Sequence, residues 1–141
     1  MTDCRKGIVH YRVPYADTDQ MGVVYYGNYL TYFERSRNEL MRVRGLTYKE
    51  FEAGNLMLPV IHASIDYRNP AKYDDVLVIE ADLAWLKGIR LQVDCRITCG
   101  EVLITEGFTI HAVVCSKTRK PVRMPEDIQA ILLGENIIDL V

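Results

Sequence analysis

Two carboxylates, Asp17 and Asp19, stand one residue apart in the polar stretch Tyr15-Ala-Asp-Thr-Asp19-Gln-Met-Gly22, and a long helical pattern opens shortly afterwards. The first turn of a helix carries backbone N–H groups with no partner inside the helix, and the peptide dipoles make that end positive. An acidic side chain held beside such donors is a base or nucleophile next to a place where negative charge can develop. Asp19 could take a proton from a water attacking an activated carbonyl, or attack that carbonyl itself. From spacing alone the same two residues also read as Asx-turn formers in a solvated loop. Both readings stand on these residues by themselves.

The elements around the loop follow from periodicity. Ile8 to Val13 reads as a short strand stopped by Pro14. A helix is expected from about Gly27 to Arg44, with Tyr29, Leu30, Phe33, Leu40, Met41 and Val43 as its apolar stripe. Gly45 is its natural stop, with Arg42 and Arg44 suited to the negative end. Thr47 with Glu50 three residues on forms a capping box for a shorter helix that Gly54 ends. The period then changes to two. Leu58 to Arg68 and Val102 to Cys115 read as strands, and Leu77, Ile79, Ala81, Leu83 and Trp85 alternate with polar neighbours up to the Lys87-Gly88 turn. Ile89, Leu91, Val93, Cys95, Ile97 and Cys99 alternate with Arg90, Gln92, Asp94, Arg96 and Thr98, the pattern of a strand with one packed face and one wet face. Gly100-Glu101 is a tight connection, and Met124-Pro125 leads into a terminal helix. One long helix followed by antiparallel strands predicts an α+β class, with the sheet wrapped around that central helix. Residues 1–141 read as a single domain, long enough to bury a sizeable core.

Composition narrows the partners. Hydrophobic residues make up 49% of the chain and the net charge is −2, which gives no electrostatic reason to expect nucleic acid or an anionic membrane. No run approaches the length of apolar sequence that an integral membrane segment requires. Cys4, Cys95, Cys99 and Cys115 form no CxxC pair and have no histidine at metal-ligand spacing, so free thiols and no metal are expected. A reducing, cytoplasmic location is the simplest reading.

Read on through Val23-Val-Tyr-Tyr26-Gly-Asn-Tyr29-Leu-Thr-Tyr-Phe-Glu34-Arg35, the loop resembles the signature of hot-dog-fold acyl-CoA thioesterases of the 4-hydroxybenzoyl-CoA thioesterase type. It is similar above all to the short acyl-CoA thioesterases associated with the bacterial Tol-Pal system, over about Val9 to Ile128. The family's motif is Asp-x-Asp-x-x-Gly-x-Val-x-Tyr, and its catalytic aspartate occupies the second acidic position, which is Asp19 here. The resemblance implies that the backbone N–H at Tyr26, with Gly27 beside it at the helix start, bonds the thioester oxygen. It implies that coenzyme A lies along the turn of Lys87, Gly88 and Arg90, where charge-assisted bonds can meet phosphates. It also implies a hot-dog topology and a homodimer with shared active sites, commonly paired into a homotetramer. The substrate would be an acyl-CoA and water the second reactant. No cofactor is needed beyond the coenzyme A that is part of the substrate, because a thioester is already activated and no electrons move. Tol-Pal relatives often carry histidine at the position of Tyr26 and the 4-hydroxybenzoyl type carries tyrosine, so the acyl preference stays open.

Six of the nine tyrosines lie between Tyr11 and Tyr32, as a mixed core and interface or as a pocket for an acyl or aryl group to which Tyr29 and Phe33 contribute. Glu34 is expected to pair with Arg35 or Arg37, with a direct catalytic role as the lesser reading. Arg119, Lys120 and Arg123 form a second basic group that ranks below the Lys87 turn. His10, His62 and His111 fit no triad or metal pattern, and His62 reads as a satisfied strand histidine. The rival functions are a non-catalytic acyl-CoA or acyl-carrier-protein binding module, a hot-dog hydratase or dehydratase, and a structural Tol-Pal partner.

Overall fold

Every third or fourth side chain of the long helix faces one direction, and in this sequence that face is Tyr29, Tyr32, Phe33, Ser36, Leu40 and Met41, all buried. The computed structural model describes residues 5–134. Its elements are β1 (Gly7–Arg12), a single 3-10 turn at Tyr15–Asp17, α1 (Asn28–Val43), α2 (Tyr48–Ala53), β2 (Leu56–Met57), β3 (Val60–Tyr67), β4 (Val76–Lys87), β5 (Arg90–Cys99), β6 (Val102–Ala112), β7 (Val114–Cys115) and α3 (Glu126–Leu133). Five strands form an antiparallel sheet in the order β1-β4-β5-β6-β3, and β2 pairs with β7 in a separate ribbon. The helix α1 packs against β1 and β4, and Leu77, Ile79, Val93, Ile97 and Phe51 complete the core beneath it. This is the α+β arrangement the sequence predicts.

The helix and sheet approach closely because two small residues meet. A Cβ built on Gly7 would collide with the carbonyl oxygen of Ser36 and the backbone nitrogen of Leu40. Ser36, wholly buried, turns its hydroxyl back onto the Phe33 carbonyl at 2.9 Å and so leaves no orphaned polar atom there. The ends of the helices follow their sequence signals. Gly45 follows α1 with φ +100°, a conformation that side chains with a Cβ resist. Thr47 and Glu50 form the expected capping box on α2.

Several elements depart from the pattern for local reasons. Leu30 is exposed, because one residue beyond Tyr29 on a 3.6-residue helix lies about 100° away from the buried face. The expected strand from Leu58 to Arg68 is broken at Pro59, between β2 and β3, and that from Val102 to Cys115 at Val113. A bulge between Leu83 and Trp85 shifts the phase of β4, so Trp85 turns outward and Leu86 takes the packed side. Ile89 is exposed in the turn rather than packed. Arg44 does not serve its own helix end. Its buried guanidinium donates to the Leu132 carbonyl at 2.7 Å and the Arg5 carbonyl at 3.1 Å and meets Asp82 at 3.2 Å, tying α1 to α3 and β4. Cys95 is a buried free thiol, pushed up to about 12 by desolvation, and Cys99 and Cys115 are free and partly buried. Cys4 lies outside the described residues.

The three histidines have three environments. His10 is exposed on β1, and His62 is exposed with its ring stacked on Phe108, rather than packed inward. His111 is wholly buried, with Nδ1 2.9 Å from the Leu58 carbonyl and Nε2 2.8 Å from the Thr109 hydroxyl. Nδ1 must carry the proton to satisfy a carbonyl, which leaves Nε2 to accept from Thr109. Desolvation lowers the ring to about 4, with the Leu58 carbonyl opposing that shift and Arg37 reinforcing it. An unfolded histidine takes its proton near 6.5, so the unfolded state binds more protons between those values, and stability present above pH 6.5 is lost as pH falls towards 4. Urea denaturation at pH 7.5 and pH 4.5 should therefore show a loss that is smaller in His111→Gln by on the order of 2 kcal/mol. An equal loss in both proteins would assign the acid sensitivity to other groups.

Candidate active site

The loop between β1 and α1 is held by Asp17 and opened by Asp19. Carboxylate Oδ2 of Asp17 accepts from the Tyr11 hydroxyl on β1 and from the Tyr32 hydroxyl on α1, each at 2.7 Å. Its backbone carbonyl accepts from Tyr25 N–H and from the Asn28 side-chain amide, each at 2.9 Å. Burial and then the bond to Asp17 raise both phenols above their usual range, Tyr32 the more strongly, so they remain donors. Arg35 lies over the Tyr11 ring at 4.7 Å, which gives it a partner other than the expected Glu34, and Glu34 is exposed on α1.

Asp19 does form the Asx turn that its spacing allows: Oδ1 accepts from Met21 N–H at 2.9 Å. Its backbone N–H donates to Val23 and its carbonyl accepts from Gly22, so the main chain is fixed on both sides. Oδ2 stands outside this turn, and the half-buried side chain borders a groove of about 300 Å³. Tyr26, Tyr29, Tyr67, Met21, Arg68 and Asn69 are among the other residues that line that groove.

At the head of α1, Asn28 N–H donates to the Tyr25 carbonyl at 2.9 Å and Tyr29 N–H to the Tyr26 carbonyl at 3.3 Å. Those two carbonyls belong to the peptides whose N–H groups are on Tyr26 and Gly27. Each of these N–H groups therefore sits at the outer tip of a hydrogen-bonded peptide chain, where cooperativity makes a donor stronger. The first turn of α1 carries no acidic side chain to offset its positive end. Asp19 and Tyr26 line one groove at the head of α1, and a carboxylate near helix-start amides is a pairing that can activate a nucleophile and stabilise an oxyanion.

Not every expected residue joins this site. Tyr29 is 4% exposed and closes the floor of the groove, packed against Tyr32 and Tyr67. Phe33 is fully buried one turn deeper, so it supports the floor through the core and does not reach the groove. The Tyr26 ring is largely exposed beside Tyr25, so its backbone faces the site more than its side chain does. Lys87, Gly88 and Arg90 lie at the other end of the 12-residue strand β4, roughly 35 Å along it from the end nearest the loop. Conversely, Tyr67 and Asn69 were not expected. The available signal was the Asn69-Pro70 turn, but nothing local says that the following Ala71-Lys72 segment lies against the Asp19 loop, as the Val24–Ala71 and Val23–Lys72 pairings show.

Tyr32→Phe removes one of two donors from a carboxylate and should cost about 1.5–3 kcal/mol in urea denaturation, with Asp17→Ala costing more because two phenols lose their acceptor. A change in either variant below about 0.5 kcal/mol would show that the clamp does not hold the loop.

The model of the Thioesterase-like superfamily matches residues 13–132. The chain is 34% identical over 120 residues to the acyl-CoA thioesterase YbgC of Haemophilus influenzae, covering 84% of this chain and 88% of that one. It is 31% identical over 119 residues to the 1,4-dihydroxy-2-naphthoyl-CoA hydrolase of Synechococcus elongatus, covering 83% and 88%. Among solved structures, a 1,4-dihydroxy-2-naphthoyl-CoA thioesterase from Synechocystis superposes with a TM-score of 0.81 at 26% identity, covering 91% of this chain and 96% of that one. A protein from Thermus thermophilus of unassigned function reaches 0.85 at 34%, covering 89% and 96%. Sheet order, central helix and sequence agree, and the chain belongs to the thioesterase-like, hot-dog superfamily.

Proposed function

We infer that this chain hydrolyses an acyl-CoA thioester to a carboxylic acid and free coenzyme A, and we propose that Asp19 and the amides of Tyr26 and Gly27 carry the reaction. The observation that carries this reading is that Asp19, with one carboxylate oxygen outside its Asx turn, lines the same groove as Tyr26 at the head of α1. The thioester carbonyl oxygen takes the Tyr26 and Gly27 N–H groups as donors, which lowers the cost of the negative charge formed on attack. Asp19, as base, accepts a proton from the attacking water; the new C–O bond forms, the C–S bond breaks, and a proton goes to the departing sulfur. As nucleophile, Asp19 would instead form an anhydride that water opens. Oxygen-18 entering Asp19 from water during a single turnover identifies the second route. The thioester needs no metal or redox cofactor for either, since its carbonyl is already activated.

The nucleotide end poses a geometric problem that a second copy solves. Among the described residues, the strand β3 lies at an edge of the sheet and pairs only with β6, with Val60, Ile61 and Tyr67 exposed along it. The Tyr67 end borders the groove. The Val60 end pairs with His111, which pairs with Leu91, next to the Lys87-Gly88-Ile89-Arg90 turn. Antiparallel pairing of β3 with β3 of a second copy would bring the groove of one chain towards the basic turn of the other. We therefore assign Lys87, Gly88 and Arg90 to the phosphates of a substrate held at the other subunit's Asp19, in a homodimer or a homotetramer built from it. Among the described residues no helix is long and apolar enough to cross a membrane, and the free thiols favour the reducing cytoplasm.

Thiol release from short aliphatic, long aliphatic and aromatic acyl-CoAs tests the chemistry. Native protein should turn over at least one class, and Asp19→Asn should lose about a hundredfold or more, whereas Tyr26→Phe should be mild. Full activity in Asp19→Asn would move the chemistry elsewhere. The assembly is tested separately: the native chain should sediment at a multiple of 16.2 kDa, and joint Lys87→Ala and Arg90→Ala substitution should raise KM several-fold with kcat unchanged. A monomer with full activity would defeat the shared site.

A further inference from the structure

The Tyr26 carbonyl is approached from two directions. Tyr29 N–H donates to it at 3.3 Å from within the helix, and the Tyr67 hydroxyl donates to it at 3.4 Å from the end of β3. Both bonds are long because one oxygen divides itself between two donors. The Tyr67 ring is fixed from both sides, with its centroid 6.3 Å from Tyr26 in an edge-on arrangement and 5.6 Å from Tyr29. Backbone pairing of Tyr67 with Thr105 sets its height on the sheet. The hydroxyl therefore reaches across the groove from the edge strand to the head of the helix.

Oxygen and hydrogen of one peptide unit are electronically coupled. A donor on the Tyr26 carbonyl draws density away from the Gly27 nitrogen and makes the Gly27 N–H a better donor in turn. The same bond resists rotation of that peptide, so the N–H keeps its direction while the groove fills. Helix geometry supplies one such bond through Tyr29, and Tyr67 supplies a second that no helix provides for itself.

We propose that Tyr67 is a positioning residue for the oxyanion site, its hydroxyl holding and polarising the Tyr26–Gly27 peptide while its ring forms the groove wall next to the acyl group. This rests on the thioesterase reading of the same groove. The role is distinct from that of Asp19, because Tyr67 acts on the reacting carbonyl only through the peptide. Its effect belongs to the transition state, when charge on the carbonyl oxygen is largest.

The test compares Tyr67→Phe and Tyr67→Leu with native protein on the acyl-CoA that native protein hydrolyses fastest. Tyr67→Phe keeps the ring and should lower kcat roughly threefold to tenfold, the worth of one modest hydrogen bond, with KM within about twofold and an unchanged Tm. Tyr67→Leu should lower kcat similarly and raise KM as well, since the wall goes too. Tyr67 is 52% exposed, so neither change empties the core. An undiminished kcat in Tyr67→Phe, or a loss of activity that tracks a loss of Tm, overturns the assignment and leaves the thioesterase reading intact. A native protein that releases no thiol from any acyl-CoA overturns both.

Discussion

One carboxylate oxygen gives the active region its shape. Asp17 Oδ2 accepts hydrogen bonds from a strand hydroxyl and a helix hydroxyl at once, and its carbonyl accepts two more, from the Tyr25 N–H of the loop and the Asn28 side chain at the start of α1. Four bonds to one residue fix where β1 ends, where α1 begins and how the chain turns between them. The two phenols lie on the boundary of the core, where their rings pack at 5.0 Å and only their oxygens need a polar partner. A carboxylate is the partner that can accept both. Asp19 is then fixed by its own bonds to Met21, Gly22 and Val23, which use only one of its carboxylate oxygens.

That division of labour explains why two acids stand one residue apart. In an extended stretch, alternate side chains point to similar sides, and Thr18 between them is extended with ψ 157°. Both carboxylates could then compete for the same donors, but the chain turns after Thr18. Asp17 faces Tyr11 and Tyr32, while Asp19 folds onto Met21 N–H and the groove. The structural reading and the catalytic reading of Asp19 are compatible, because the Asx turn uses one oxygen and leaves the other.

The fold was legible where the local period and the tertiary environment agree. The alternation from Leu91 to Ile97 maps residue by residue onto a buried face of β5, and Thr47 with Glu50 caps α2 as their spacing predicts. Legibility fails where a distant partner decides. Trp85 loses its phase to a bulge, and Arg44 turns to a carbonyl 88 residues away instead of its own helix end. The candidate site divides in the same way. Asp19, Tyr26 and Gly27 are contiguous with the helix signal, which makes them candidates, while the roles proposed for them come from the family motif. Tyr67 lies 41 residues from the carbonyl it bonds, and only the sheet order brings the two together.

Sheet order also bears on why such a site would be divided between chains. An acyl-CoA makes two unlike demands, a donor-lined recess for the thioester and cationic groups for the phosphates. This sheet carries the first at the Tyr67 end of β3 and Lys87 and Arg90 beyond the other end. In the proposed dimer, antiparallel doubling at the β3 edge would supply the missing half from a second copy. Under this arrangement the edge strand is left open to be used. Its pairing would satisfy the backbone groups that β3 presents outward and would complete the proposed substrate path in the same step.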